Sequence, residues 1–127
     1  MNIPQNLLYT KDHEWVRVEG DMAVVGITDF AQGELGDIVF VQLPEVGQKV
    51  QQGQAFGTIE AVKAVADIYS PLSGSISEAN AALNDKPELM NKEPYGAGWV
   101  AKIKTSNFAA ERANLLDAAA YADLTSA

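Results

Sequence analysis

Hydrophobic positions along the chain fall in short alternating runs punctuated by glycine and proline, the spacing of small antiparallel strands rather than of long helices. Tyr9 to Val18 and Met22 to Ile27 flank Glu19, Gly20 and Asp21, where Gly20 allows the chain reversal of a first hairpin. Thr28 caps a short helix running through Phe30, Ala31 and Leu35, with Asp29 favourable near its start and Gly36 as its stop. Asp37 to Leu43 (DIVFVQL) is a β-branched strand closed by Pro44, and Gly47 and Gly53 punctuate the next two short strands. Gln54 to Glu60 and Val65 to Tyr69 read as the paired arms of another hairpin. Pro71 and Gly74 then turn the chain into Ser75 to Ala79, and Gly98 to Lys104 is a late strand. Gly47 to Ile59 and Gly74 to Leu83 form a weak internal echo, each placing a strand after a turn glycine.

The remaining segments are helical or irregular. Lys86 to Asn91 suits one helical turn, since Pro87 is tolerated in a first turn and Glu88 favours that end. Glu93 to Gly98 is a loop, and Trp99 after it is expected to anchor the late strand in the core, with Trp15 and Phe40 as further core aromatics. An exposed member of these three would instead line a surface groove. From Ser106 onward, Phe108, Leu115, Leu116, Tyr121 and Leu124 fall among alanines, predicting two short helices divided or capped at Asp117 and packed on the sheet. One domain over residues 1–127 is expected, because 127 residues suffice for one core and not for two.

Charge and composition exclude several functions. The formal net charge of -8 repels phosphate backbones and anionic lipid, so neither nucleic acid nor membrane is an expected partner. With no cysteine there is no disulfide, thiolate metal site or cysteine nucleophile, and redox chemistry has to come from an attached group. The opening MNIPQNLLYTKDHEW has no basic region followed by an apolar run, which points to a soluble cytoplasmic protein. No Ser-His-Asp set, phosphate loop or paired acid-base constellation is present, so no catalytic residues and no intrinsic turnover are expected. No metal site is visible, and His13, the single histidine, reads as structural or as a hydrogen-bonding neighbour of Glu14.

One lysine stands apart. In GTIEAVKAVADIYSPLSG, residues 57 to 74, Lys63 sits between two β-branched runs and is flanked by the small Ala61 and Ala64. If the runs pair, Lys63 is the protruding tip of a hairpin, accessible to a modifying enzyme. The same residues also fit a short amphipathic helix, since Ile59, Val62 and Ala66 recur at near-helical spacing and no Asn-Gly or Asp-Gly marks a turn. Residue patterns alone leave both readings open.

Four ordered blocks carry a resemblance: YTKDHEWV, GITDFAQGELGDIVFVQLPEVG, EAVKAVADIYSPLSG and PYGAGWVAKIK. Together they span nearly the whole chain, which closely resembles the glycine cleavage system H protein family. Ala61 departs from the serine that many members carry before the valine and lysine. The resemblance implies a mainly β fold, a flattened barrel or sandwich hybrid of the lipoyl-domain type with two quasi-equivalent halves, extra N-terminal strands and a helical C-terminal segment. It also implies lipoic acid in amide linkage to Lys63, on an arm spanning about 12 to 15 Å when extended.

By the same resemblance, a pyridoxal-phosphate glycine decarboxylase loads an aminomethyl group onto the arm. A tetrahydrofolate-dependent aminomethyltransferase unloads it, and dihydrolipoamide dehydrogenase reoxidises the dithiol with NAD. Lipoylating enzymes attach the arm. The chain is then a non-catalytic, monomeric carrier of the bacterial cytoplasm, or of the mitochondrial matrix if it is a processed organellar form. A protonated amine on the arm is best held by a carboxylate in a partly dry cleft, for which Glu14 and Asp67 are the candidates. Glu60, three residues before Lys63, is a candidate for recognition by a lipoylating enzyme. A biotinyl carrier is the alternative, although that family sets its lysine between two methionines. A lipoyl domain of a 2-oxo acid dehydrogenase shows aspartate before the lysine and belongs to a longer chain. A lipoyl donor in a relay to other enzymes is a further alternative.

Overall fold

Glu14 to Ile27 folds on itself because Gly20, with φ +66°, reverses the chain between β2 (Glu14–Glu19) and β3 (Met22–Ile27). The computed structural model describes residues 2–126. The predicted first arm, Tyr9 to Val18, is not one strand. It breaks into β1 (Leu8–Tyr9) and β2, joined by a turn in which Thr10 Oγ1 accepts the Asp12 and Glu14 N–H groups and His13 takes φ +71°. Strands β5 (Lys49–Val50), β8 (Gly74–Ala79) and β9 (Ala101–Thr105) complete a six-stranded antiparallel sheet in the order β1-β2-β3-β9-β8-β5. Strands β4 (Ile38–Gln42), β6 (Ala55–Ala61) and β7 (Val65–Tyr69) form a second, three-stranded sheet in the order β4-β6-β7. The fold is mainly β, an open sandwich of two sheets with short helices and a helical C-terminus.

The sheets close over one apolar layer. Val25, Ile27, Ile76 and Ile103 from the larger sheet meet Ile38, Val41, Ile59 and Ile68 from the smaller, with Leu83 and Met90 plugging one end. Each such side chain contributes about 1.5–3 kcal/mol by leaving water. Leu83 lies in α2 (Ala82–Asp85), so the second half of the sequence echo is a strand only to Ala79. Met90 lies in α3 (Leu89–Lys92), where one helical turn is predicted. Helix α1 (Asp29–Leu35) follows its prediction, with Thr28 Oγ1 accepting the Ala31 N–H at 3.2 Å and Gly36 ending it.

The C-terminal segment covers the other face of the larger sheet. Helix α4 (Phe108–Glu111), a 3-10 turn (Arg112–Asn114) and α5 (Ala118–Thr125) lie there, and Asp117 caps α5 by accepting the Ala120 N–H at 2.8 Å. Tyr121 stacks on Tyr9 with ring centroids 4.6 Å apart, beside Trp15, Leu7 and Ala118. Of the three predicted core aromatics only Trp15 is buried. A bulge between Ile38 and Phe40 breaks the alternation of β4 and turns Phe40 to solvent. Trp99 follows a turn closed by its own N–H on Gly96 O, and stays half-buried with the Lys102 ammonium 5.3 Å from its ring, while Val100 takes the core position.

Trp15 also fixes a neighbour. Its partner across the ladder is Gly26, and a Cβ there would stand 2.6 Å from the indole nitrogen, which donates to Pro94 O at 2.8 Å. Gly26→Ala is therefore expected to force the indole aside and destabilise the protein by about 1–3 kcal/mol. A denaturant titration checks this, and an unchanged midpoint at unchanged slope would contradict it.

Candidate functional site

The Lys63 segment is a hairpin, which settles the choice between strand and helix. Strands β6 and β7 pair from Ala55↔Tyr69 to Glu60↔Val65, and the tip is Val62 and Lys63, closed by the Ala61 N–H donating to Ala64 O at 2.8 Å. No turn dipeptide is needed, because β4 supports the tip from the side: Val62 N–H donates to Asp37 O at 2.9 Å and Ile38 pairs with Ala61. Lys63 is exposed and pairs with no carboxylate among the described residues.

Its methylenes run over Gly36, at the α1 to β4 corner. A Cβ at Gly36 would lie 3.3 Å from Lys63 Cδ and Cε, and the φ of +77° there suits glycine alone. Asn91 on α3 locks this corner from behind. Its carbonyl oxygen accepts the Ile38 N–H at 2.9 Å, and its amide donates to Gly36 O at 2.9 Å and to Gln32 Oε1 at 3.2 Å. Lys63 thus protrudes from a base tied into the fold from two sides. Neither Asn91 nor the support that Gly36 gives the lysine stem is visible in the sequence, since the partners of Asn91 lie more than fifty residues away.

The other predicted residues divide between the sheets. Glu60 and Asp67 share the solvent face of the smaller sheet, in the cross-strand rows Phe40-Glu60-Val65 and Gln42-Thr58-Asp67. Asp67 lines a hollow of about 320 Å³ with Gln42, Pro44, Gln48 and Thr58. Glu14 stands on the larger sheet, lining a separate cavity of about 410 Å³ with Thr10, Lys11, Gln52, Tyr69, Ser70 and Asn114. Glu14 and Asp67 therefore do not share a pocket. Strand β7 connects them: Val65, Asp67 and Tyr69 alternate onto its outer side, and the Tyr69 N–H donates to Glu14 Oε2 at 3.3 Å.

The Glu14 carboxyl is displaced far from the ordinary carboxylate range. Only 2 % of its surface is exposed, and burial pushes its carboxyl up to about 8. The hydrogen bonds from Thr10 Oγ1, at 2.6 Å, and from Tyr69 N–H oppose that shift, and the charge of Asp12 reinforces it. A cation beside such a carboxyl lowers its pKa again, while burying the pair costs the cation its hydration.

His13 is not bonded to Glu14. Its Nδ1 lies 2.8 Å from the Tyr121 hydroxyl, which lies 2.7 Å from Thr28 Oγ1. Thr28 is fully buried and its oxygen accepts the Ala31 N–H, so its hydroxyl, the Tyr121 hydroxyl and His13 Nδ1 form one connected chain of hydrogen bonds. The His13 pKa is lowered by burial, against the charges of Asp12 and Glu34. The chain of bonds ties α5 to the N-cap of α1. Among the described residues no group of His, Cys, Asp and Glu is placed to hold a metal ion, and no helix is long and apolar enough to cross a membrane.

A family model described as Glycine cleavage H-protein matches residues 7–127. The chain is 58% identical over 121 residues to the glycine cleavage system H protein of Bacteroides thetaiotaomicron, covering 95% of each. It is 50% identical over 125 residues to that of Bacillus cereus, covering 98% of each. Among solved structures, a crystal structure of a glycine cleavage system H protein from Mycobacterium marinum superposes with a TM-score of 0.84 at 42% identity, covering 95% of this chain and 97% of that one.

Two outcomes follow from this geometry. Because the Glu14 pKa is raised from 4.5 to about 8 on folding, the unfolded chain releases its proton first, so this group lowers stability progressively between those pH values and by a constant amount above them. Glu14→Gln is expected to gain on the wild type as pH rises from about 4.5 to about 8. Chemical unfolding at several pH values checks this, and a difference independent of pH would refute it. Asn91→Ala leaves the Ile38 N–H and Gly36 O without their partner and is expected to cost about 1–3 kcal/mol. Faster amide exchange at Ile38 and Val62 should accompany it, and exchange unchanged at both would show that Asn91 does not hold the corner.

Proposed function

The chain belongs to the glycine cleavage H-protein family, and on that premise we propose that it is the lipoyl-bearing carrier of the glycine cleavage system, with lipoic acid in amide linkage to Lys63 Nζ. The observation that carries this reading is the placement of Lys63. It is an exposed lysine without an ion-pair partner among the described residues, at a two-residue hairpin tip flanked by the small Ala61 and Ala64, on a base held by Asp37 and Asn91. These features fit acylation: a ligase reaches Nζ unhindered, and the tip stays in one place afterwards. Bound there, the lipoyl dithiolane supplies the redox and carbon-carrying chemistry that a chain without cysteine lacks.

The chain's own residues then orient and protect. Asp67, the third residue of β7, lies no more than about 13 Å of extended chain from Lys63 and within the length of the arm, whereas Tyr69, at the Glu14 cavity, lies up to about 20 Å of chain away, so Asp67 is the carboxylate the arm meets first. Were a protonated amine brought into the Glu14 cavity, Glu14 would release its proton to solvent and hold the amine as an ion pair shielded from water, slowing loss of the carried carbon. Asp67 offers the more exposed, earlier carboxylate on that route. Glu60 stands beside the tip, where a lipoylating enzyme meets it.

In this role the chain turns over no substrate alone. A pyridoxal-phosphate glycine decarboxylase loads the arm, a tetrahydrofolate-dependent aminomethyltransferase unloads it, and dihydrolipoamide dehydrogenase restores the disulfide. The bacterial sources of its relatives support a bacterial cytoplasmic setting. Intact and peptide mass spectrometry on protein made in lipoate-supplied cells tests the assignment. A lipoyl increment on the Lys63 peptide, absent from Lys63→Arg, is expected. An unmodified Lys63 beside other lipoylated proteins of the same cells, or a biotin increment there, would overturn it.

A further inference from the structure

The solvent face of the β4-β6-β7 sheet is more apolar than a folded surface requires. Phe40 is 50% exposed, Val65 66% and Val62 73%, and the β4 bulge adds Val39 at 57%. Phe40, Glu60 and Val65 lie directly across from one another, with Val62 and Lys63 just beyond at the tip. The bulge turns two consecutive hydrophobic residues outward where regular alternation would bury one, a cost with no return in folding. Around this patch stand Glu60, Asp67 and Asp37, all exposed and none ion-paired among the described residues. Lys63 is the one cation placed at the tip, and acylation of Nζ removes its positive charge, leaving the formal net charge of -8 one unit more negative.

We infer that this face is the docking surface for the enzyme that takes up the acylated arm, a partner whose site entrance is an apolar hollow rimmed by lysine or arginine. The inference rests on the carrier reading above and gives it a recognition mechanism. Phe40, Val65 and Val62 fill the hollow while Glu60 and Asp67 face the cationic rim. The free Lys63 ammonium opposes that rim, so the unmodified carrier docks less well than the acylated one, and loss of the positive charge by itself strengthens docking.

The test measures dissociation constants by biolayer interferometry, using the glycine decarboxylase of the same organism as the probe. Fully lipoylated wild type is compared with lipoylated Phe40→Ser and Val65→Ser, modification and melting temperature being verified for each, and with Val18→Ser as a control on an exposed valine of the larger sheet. Each face variant is expected to weaken binding about tenfold and the control to leave it unchanged. Without any arm, Lys63→Gln is expected to bind about two- to threefold tighter than unmodified wild type, with the advantage lost at high salt. Equal affinities for wild type and both face variants would overturn the docking surface while leaving the carrier reading intact. Failure of lipoylated wild type to bind at all would remove the carrier reading and this inference together. A concentration-dependent dimer abolished by Phe40→Ser, with partner affinity unchanged, would assign the face to a second copy and overturn the proposal.

Discussion

A carboxyl group held out of water at the start of β2 is the constraint around which much of the irregular structure is arranged. Burying Glu14 costs free energy that its two hydrogen bonds only partly offset, since its pKa still ends near 8. Thr10 supplies one of those bonds, and it does so by interrupting the first strand. The resulting turn brings its hydroxyl to the carboxyl at 2.6 Å and places His13 at φ +71°. The β7 backbone supplies the other through Tyr69. On the far side, Asn114, Leu115 and Leu116 complete the cavity, and Leu116 is fixed there by its bonds with Tyr9 in both directions. The C-terminal segment thus lines the Glu14 cavity as well as covering the sheet.

The two ends of β7 are prepared for different work. At the Lys63 end the structure offers exposure on a rigid base: a tip bonded to Asp37, a stem laid on Gly36, and a corner pinned by Asn91. At the Tyr69 end it offers a shielded acid. The proposed swinging arm would use both, because a freely waving base would waste reach and an exposed terminus would leave its cargo to water. A strand is a suitable connector, since it is stiff, has a fixed rise per residue, and presents alternate side chains along one side.

How far the sequence shows this depends on whether the determinant is local. The β2-β3 hairpin, the capped α1 with its Thr28 and Gly36, and the Asp117 cap of α5 were all legible, because each rests on residues within a few positions of one another. The lysine hairpin is ambiguous from its own residues, since its turn is stabilised by β4 rather than by a turn dipeptide, and the pairing of β6 with β7 resolves it. Phe40 was misread as core because a bulge shifts alternation without leaving a mark in DIVFVQL. Trp99 was misread because its neighbour Val100 takes the inward position. Glu14 was legible as a candidate acid but its burial was not, and Asn91 lay in a predicted helical turn that gave no hint of its distant partners.

The central claim is that Glu14 is a buried, proton-holding carboxyl that becomes an ion-pair partner when an amine arrives on the Lys63 arm. Carbon-detected NMR titration of the Glu14 carboxyl in the lipoylated protein, before and after the arm is loaded with the aminomethyl group, tests it directly. The account predicts a midpoint near 8 in the unloaded protein and a fall of more than about one unit on loading. A midpoint at the ordinary carboxylate value in the unloaded protein, or no change on loading, would contradict it.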